Sequence, residues 1–229
     1  MTRVGLVGGL GPASTIDYYR RIIEAWQREE PSSTPPMVID SLDPTVALRL
    51  VAEDRAALMD YLLGSVRRLT GAGVDFIAIA ANTPHLLFDE LAARTPVPML
   101  SIVDVCAEEA RRRGLRRLLL LGTRFTMQAE FFPTVFARHG LEVVAPDETD
   151  RNWIHARYVN ELLKGEFLES TRQALVALVA RLRDRDMVDG VVLGGTELPL
   201  LLRAPTIADL PVLDTTVLHV AAIVQRLRG

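Results

Sequence analysis

Val74–His85 reads VDFIAIAANTPH, and Val188–Pro199 reads VDGVVLGGTELP. Each begins with a Val-Asp pair, continues as a short apolar run and ends in small residues that open into polar ones. The run is too short for a helix, is rich in β-branched residues and stops at turn formers, which describes a buried strand of a parallel sheet. The residues that follow, Ala81, Asn82 and Thr83 in one copy and Gly195, Thr196 and Glu197 in the other, then fall at the strand's carboxyl end. Ligands of open α/β sheets bind there. Both copies point to one site.

Other landmarks recur at the same interval. Arg117–Leu121 followed by Gly122-Thr123 matches Arg3–Val7 followed by Gly8-Gly9 at an offset of 114 residues, and Val74 and Val188 differ by the same 114. Pro98-Met99-Leu100 pairs with Pro211-Val212-Leu213 at 113. Alternating strand and helix patterns in each half imply parallel sheets covered by helices. The expected fold class is therefore α/β, with two pseudo-symmetric Rossmann-like parallel-sheet domains and an active-site cleft between them. Ala81 and Gly195 would stand on its opposite walls.

Bulk properties narrow the function. Of 229 residues, 49% are hydrophobic and 24% charged, enough for a sizeable core, and a formal charge of -3 excludes a basic nucleic-acid footprint or a polybasic membrane patch. The arginines at 111–113 and 116–117 read as a solvated helix end. One cysteine, Cys106, excludes an intrachain disulfide. Flanked by Val105 and Ala107, it reads as a small buried hydrophobe. MTRVGLVGG reads as a core strand rather than a signal peptide, and no apolar run has the length of a membrane span. A cytoplasmic protein is expected.

In chain order, Arg3–Val7 runs into Gly8-Gly9-Leu10-Gly11-Pro12, with Ser14 and Thr15 as expected caps of a helix through Tyr18–Trp26. Such a Gly-rich turn offers backbone N–H groups to an anion, although a tight βα turn needs glycine in any case. Met37–Ile39 is the next strand, and Arg49 fits either a carboxylate clamp or the outer face of the following helix. Ala47–Leu69 reads as a long amphipathic helix broken at Glu53-Asp54-Arg55. Helix is expected over His85–Ala93 and strand over Met99–Val103. In the second half, Thr126 is expected to begin a helix through Phe132. Val143–Val144 reads as a strand, Asp147–Arg151 as a charged loop, and Tyr158–Leu163 and Thr171–Arg185 as helices. Asp214-Thr215-Thr216 opens a final helix to Arg228. His219, between Leu218 and Val220, reads as a packed structural histidine. By position, Lys164 before Gly165 is an ordinary helix C-terminal lysine.

Ala81-Asn82-Thr83-Pro84-His85 and Gly194-Gly195-Thr196-Glu197-Leu198 resemble the paired motifs of the aspartate/glutamate racemase superfamily, above all its aspartate racemase branch. That branch usually carries Cys-Asn-Thr-x-His and Gly-Cys-Thr-Glu-Leu, so Ala81 and Gly195 stand where it has thiols. The resemblance spans essentially the whole chain. It implies a cofactor-independent, PLP-independent enzyme of the isomerase class that binds a small carboxylate or amino-acid-like substrate. It also implies a homodimer, with no metal, nucleic-acid or membrane partner. It adds a substrate-lining role for the turn Gly9, Gly11 and Pro12, a carboxylate contact for Lys164, and a last helix packed on the first half, so that the expected division is 1–100 plus 212–229 for the first half and 101–211 for the second.

Two-base racemisation needs an acid and a base on opposite faces of the α-carbon. Alanine and glycine supply neither, which leaves His85, Glu197 and Thr83 as candidate catalytic groups, with Thr196 and Thr123 also near strand ends. Substrate-binding candidates are Gly9, Gly11, Pro12, Arg49, Ala81, Asn82, Thr83, Thr123, Thr126, Lys164, Gly195 and Thr196. The expected activity is proton transfer, decarboxylation, elimination or cyclisation beside a carboxylate without thiols. The competing expectation is a carboxylate-binding sensor that has dropped the chemistry.

Overall fold

A computed structural model describes Met1–Gly229. The chain divides into two compact units, Met1–Ile102 with His219–Gly229, and Val103–Leu218.

The first unit holds strands β1 (Val4–Gly8), β2 (Met37–Ser41), β3 (Phe76–Ile79) and β4 (Met99–Leu100), all parallel, in the order β2-β1-β3-β4. Side chains alternate across the sheet, as the two-residue period of a strand requires. On one face Val7, Ile77 and Ile79 pack against Leu58, Leu62, Val66 and Leu69 of helix Arg55–Gly71. On the other, Val4, Leu6, Phe76 and Ala78 meet Tyr18, Ile22 and Trp26 of helix Pro12–Gln27, together with Val220, Ile223, Val224 and Leu227 near the chain's end. Both faces are covered, which explains why the strands are apolar throughout rather than alternating with polar residues.

The second unit repeats the plan. Strands β5 (Arg117–Gly122), β6 (Glu142–Val144), β7 (Gly190–Gly194) and β9 (Leu210–Asp214) are parallel, and β8 (Thr206–Ile207) adds an antiparallel edge. The order is β6-β5-β7-β9-β8. The repeat extends to register: Ile77 pairs with Met99 in the first sheet and Val191 with Val212 in the second. Pairing with β7 puts β9 in the second sheet, and only the segment from His219 onward joins the first unit.

Several local expectations change. Helix Pro12–Gln27 begins at its proline, whose fixed φ suits a first helical position. Ser14 and Thr15 therefore lie inside its first turn, both donating back to the Gly11 carbonyl, and do not cap it. The break expected at Glu53-Asp54-Arg55 falls at Asp54, which is extended and caps the second of two helices, Pro44–Glu53 and Arg55–Gly71, by accepting from the Ala57 N–H. The segment 83–93 is a 3-10 turn, Thr83–Leu87, followed by helix Phe88–Ala92. β4 is two residues long, since helix Ile102–Arg112 starts directly after Ser101.

In the second unit Thr123, not Thr126, caps helix Arg124–Gln128, and a separate helix occupies Phe131–Arg138. Asp147–Arg151 is a helix start rather than a loop. Asp147 accepts from the Asp150 N–H at 3.1 Å, and ion pairs Arg185–Asp147 and Arg181–Asp150 absorb the charges. That helix, Glu148–Asn160, ends before a 3-10 turn, Leu162–Lys164.

Candidate active site

In the first unit the carboxyl ends of β1, β2 and β3 carry the conspicuous loops. Gly9 has φ of +78°, and a β-carbon there would run into the Leu42 backbone, so the turn admits only glycine. Its N–H donates to Thr15 Oγ1 at 2.8 Å, and the Leu42 N–H donates to the Gly8 carbonyl at 2.9 Å. The Gly9–Gly11–Pro12 segment is thereby locked to the loop after β2. Asp40 near the end of β2 is held bidentately by Arg68 at 2.8 Å, and this guanidinium lowers the carboxyl's pKa.

After β3, Ala80 N–H donates to the Val7 carbonyl, and Ala81 and Asn82 are buried. Thr83 opens the 3-10 turn, in which the His85 N–H donates to the Asn82 carbonyl at 2.9 Å. His85 itself is buried and tied at both ring nitrogens. Nδ1 lies 2.9 Å from the Ala81 carbonyl, and the Ile102 N–H donates to Nε2 at 3.2 Å. These partners select the neutral tautomer with its proton on Nδ1. With Phe88 stacked on the ring at 5.0 Å, His85 buttresses the Ala81–Asn82 backbone. Arg49 does not belong with these residues: its side chain is 61% exposed and faces Glu53, one turn along its own helix, at 4.0 Å.

In the second unit the ends of β5, β7 and β9 carry Thr123, Thr126, Gly195, Thr196, Glu197 and Thr216. Thr123 Oγ1 accepts from the Thr126 N–H at 3.2 Å and lies 3.1 Å from the Thr126 hydroxyl. Thr216 is fully buried at the end of β9, and its hydroxyl finds no hydrogen-bond partner in the protein. Lys164, the only lysine in the chain, is exposed on the 3-10 turn that Gly165 ends with φ of +78°.

Tyr158 is the residue that sequence reading missed. It projects from helix Glu148–Asn160 to the loop after β7, where its hydroxyl donates to Glu197 Oε2. Thr196 Oγ1 donates to the same carboxylate oxygen at 3.2 Å, and the Glu197 N–H approaches the phenol oxygen at 3.4 Å. A β-carbon added at Gly195 would sit 2.5 Å from Tyr158 Cε2 and 2.6 Å from its hydroxyl oxygen. The phenol thus fills the place where a side chain at 195 would begin. Burial, with the adjacent Glu197 charge next, pushes its pKa well above the ordinary tyrosine range, so the phenol is a neutral donor. The signal was in the sequence only as a glycine where the motif's pattern has a side chain.

Cys106 lies fully buried in helix Ile102–Arg112, in neither motif, and burial pushes its thiol far up. No group of three His, Cys, Asp or Glu side chains is placed to hold a metal ion, and no helix is long and apolar enough to cross a membrane.

Two doubly wound parallel sheets with matching motif loops at the ends of their central strands define the class of protein: a duplicated α/β fold with its polar groups at strand ends. Residues 7–223 match the family model for Asp/Glu/Hydantoin racemases, and the chain belongs to that family. It is 32% identical over 167 residues to the broad specificity amino-acid racemase RacX of Bacillus subtilis, covering 70% of this chain and 69% of RacX. Among solved structures it is similar to an aspartate racemase homologue from Pyrococcus horikoshii, at 33% identity, TM-score 0.84 and 100% of both chains. A structure described as an Asp/Glu racemase from Yersinia pestis matches at 31% identity and TM-score 0.88, again over 100% of both chains.

Proposed function

We propose that this protein is an amino-acid racemase-type enzyme that moves the α-proton of a small amino acid without a thiol at positions 81 or 195 and without a cofactor. The observation that carries this reading is the duplication of one polar loop. Ala81-Asn82-Thr83 follows β3 and Gly195-Thr196-Glu197 follows β7, each at the end of its unit's central strand. Neutral amide and hydroxyl donors of this kind suit a carboxylate and the enolate-like carbanion formed next to it. Asn82, Thr83, Thr123, Thr196 and Lys164 are the proposed substrate donors, with the Gly9–Pro12 turn as wall. Thr126 serves by holding Thr123 in place. Glu197 is the proposed base, and His85 positions the Asn82 loop. Membership of a racemase family and the likeness to a broad specificity amino-acid racemase favour proton transfer over the other reactions a carboxylate site permits.

The test is polarimetry on separate L- and D-enantiomers of a panel of small amino acids. Rotation from both enantiomers of at least one compound should decay to zero at the same final composition. If no compound changes rotation while one or more raise the protein's melting temperature, the protein is a carboxylate-binding protein and the catalytic reading fails.

A further inference from the structure

We infer that Tyr158 and Glu197 together are the proton-transfer group of the second unit, the phenol hydroxyl standing where a side chain at position 195 would otherwise begin. This rests on the proton-transfer reading above and extends it to a residue that neither motif contains.

Three observations converge. First, glycine at 195 is sterically coupled to Tyr158: a β-carbon would fall 2.5 to 2.9 Å from three atoms of the phenol edge. The absent side chain at 195 is therefore matched by a present one, which brings a hydroxyl to the end of β7. Second, that hydroxyl is not isolated. It donates to Glu197, which also accepts from Thr196, all three side chains being buried. Third, a hydroxyl backed by a carboxylate is a two-step relay, as in any activated hydroxyl whose proton has a base to go to.

The step balances within the pair. The α-C–H bond breaks and its electron pair stays on carbon, spread into the substrate carboxylate. The α-proton goes to Tyr158 Oη as the phenol's own proton passes to Glu197 Oε2, leaving Glu197 neutral. Return of a proton along the same path restores the substrate. Delivery from a water molecule to the opposite face inverts it, and the Glu197 proton then neutralises the hydroxide formed. A thiol would ionise to act, whereas this relay keeps the phenol neutral before and after the transfer.

The experiment is proton NMR in D2O, following loss of the α-hydrogen signal of the amino-acid panel with wild-type protein, Tyr158→Phe and Glu197→Gln. Thermal melts accompany each variant. Tyr158→Phe keeps the ring beside Gly195 and removes only the hydroxyl, so it should fold and exchange at least about 100-fold more slowly, the usual scale of general acid–base loss. Glu197→Gln should show a drop of similar size. Wild-type exchange rates in folded Tyr158→Phe overturn the relay and leave the broader function standing. Should Tyr158→Phe not fold, Glu197→Gln decides in the same way. A wild-type protein that exchanges no amino acid overturns both readings.

Discussion

Asp75 and Asp189 perform the same task in the two units. Asp75 accepts the Arg3 N–H at 2.7 Å, and Asp189 accepts the Arg117 N–H at 3.0 Å and the Arg116 N–H at 2.8 Å. Backbone bonds return the other way, from the Asp75 N–H to the Arg3 carbonyl and from the Asp189 N–H to the Arg117 carbonyl. The aspartate before each central strand thus fixes the start of the neighbouring strand, and so the register in which both present their carboxyl ends. Asp189→Ala should cost about 3 kcal/mol and Asp75→Ala about half that, because the first loses two bonds to a charged acceptor and the second one. Urea melts of the two variants test the order; equal costs, or none, would refute it.

His219 makes stability depend on pH. Its ring is fully buried, Nδ1 lying 3.0 Å from the Tyr18 hydroxyl and Nε2 3.2 Å from the Leu100 carbonyl. Burial, with His85 second, lowers its pKa to about 3. The folded state therefore keeps the ring neutral, while the unfolded chain takes up a proton below the ordinary value of about 6.5. This contribution is complete above pH 6.5 and is lost as the pH falls towards 3. Between pH 7.5 and 5 the wild type should lose stability more steeply than His219→Gln, approaching about 1.4 kcal/mol per pH unit at the acid end. Parallel slopes would show that His219 titrates normally.

The coupling of Gly195 to Tyr158 is measurable apart from any activity. Gly195→Ala should destabilise by about 1 to 3 kcal/mol, the usual cost of overpacking. Shortening the phenol relieves the clash, so in a double-mutant cycle the alanine should cost much less in a Tyr158→Ala background. Additive costs would mean that the two residues do not compete for space.

Lys164 is the chain's single side-chain amine, which makes it a selective probe. As a carboxylate contact, Lys164→Ala should raise KM for the amino acid about tenfold with kcat within a factor of about three, the signature of lost uniform binding. A variant with unchanged KM would return Lys164 to the ordinary role of a helix-end lysine.

Much of this architecture was legible in the residues, and the gaps have physical causes. The apolar runs at 76–79 and 190–194 could only be buried strands, and the 114-residue offset carried the duplicate plan down to equivalent strand pairs. Helix boundaries were harder, because a cap is a matter of backbone angle. Asp147 turns a charged stretch into a helix start, and Pro12 opens a helix that Ser14 and Thr15 were expected to cap. Arg49 fits a carboxylate clamp or the outer face of its helix by sequence, and its side chain is exposed beside Glu53. Tyr158 lies 37 residues before Gly195, and only the packing of its helix against the β7 loop brings them together. A motif reader sees the missing side chain at 195 and not what replaces it.

The most direct measurement is α-hydrogen exchange in D2O by Cys106→Ala. Cys106 carries the only thiol in the chain, fully buried in helix Ile102–Arg112. Its removal should cost little more than about 1 kcal/mol of packing. The variant should exchange the α-proton of its amino-acid substrate within about twofold of the wild-type rate, the proton passing through oxygen groups alone. Exchange in the wild type that disappears from a folded Cys106→Ala protein would place the chemistry on sulfur and contradict the thiol-free reading.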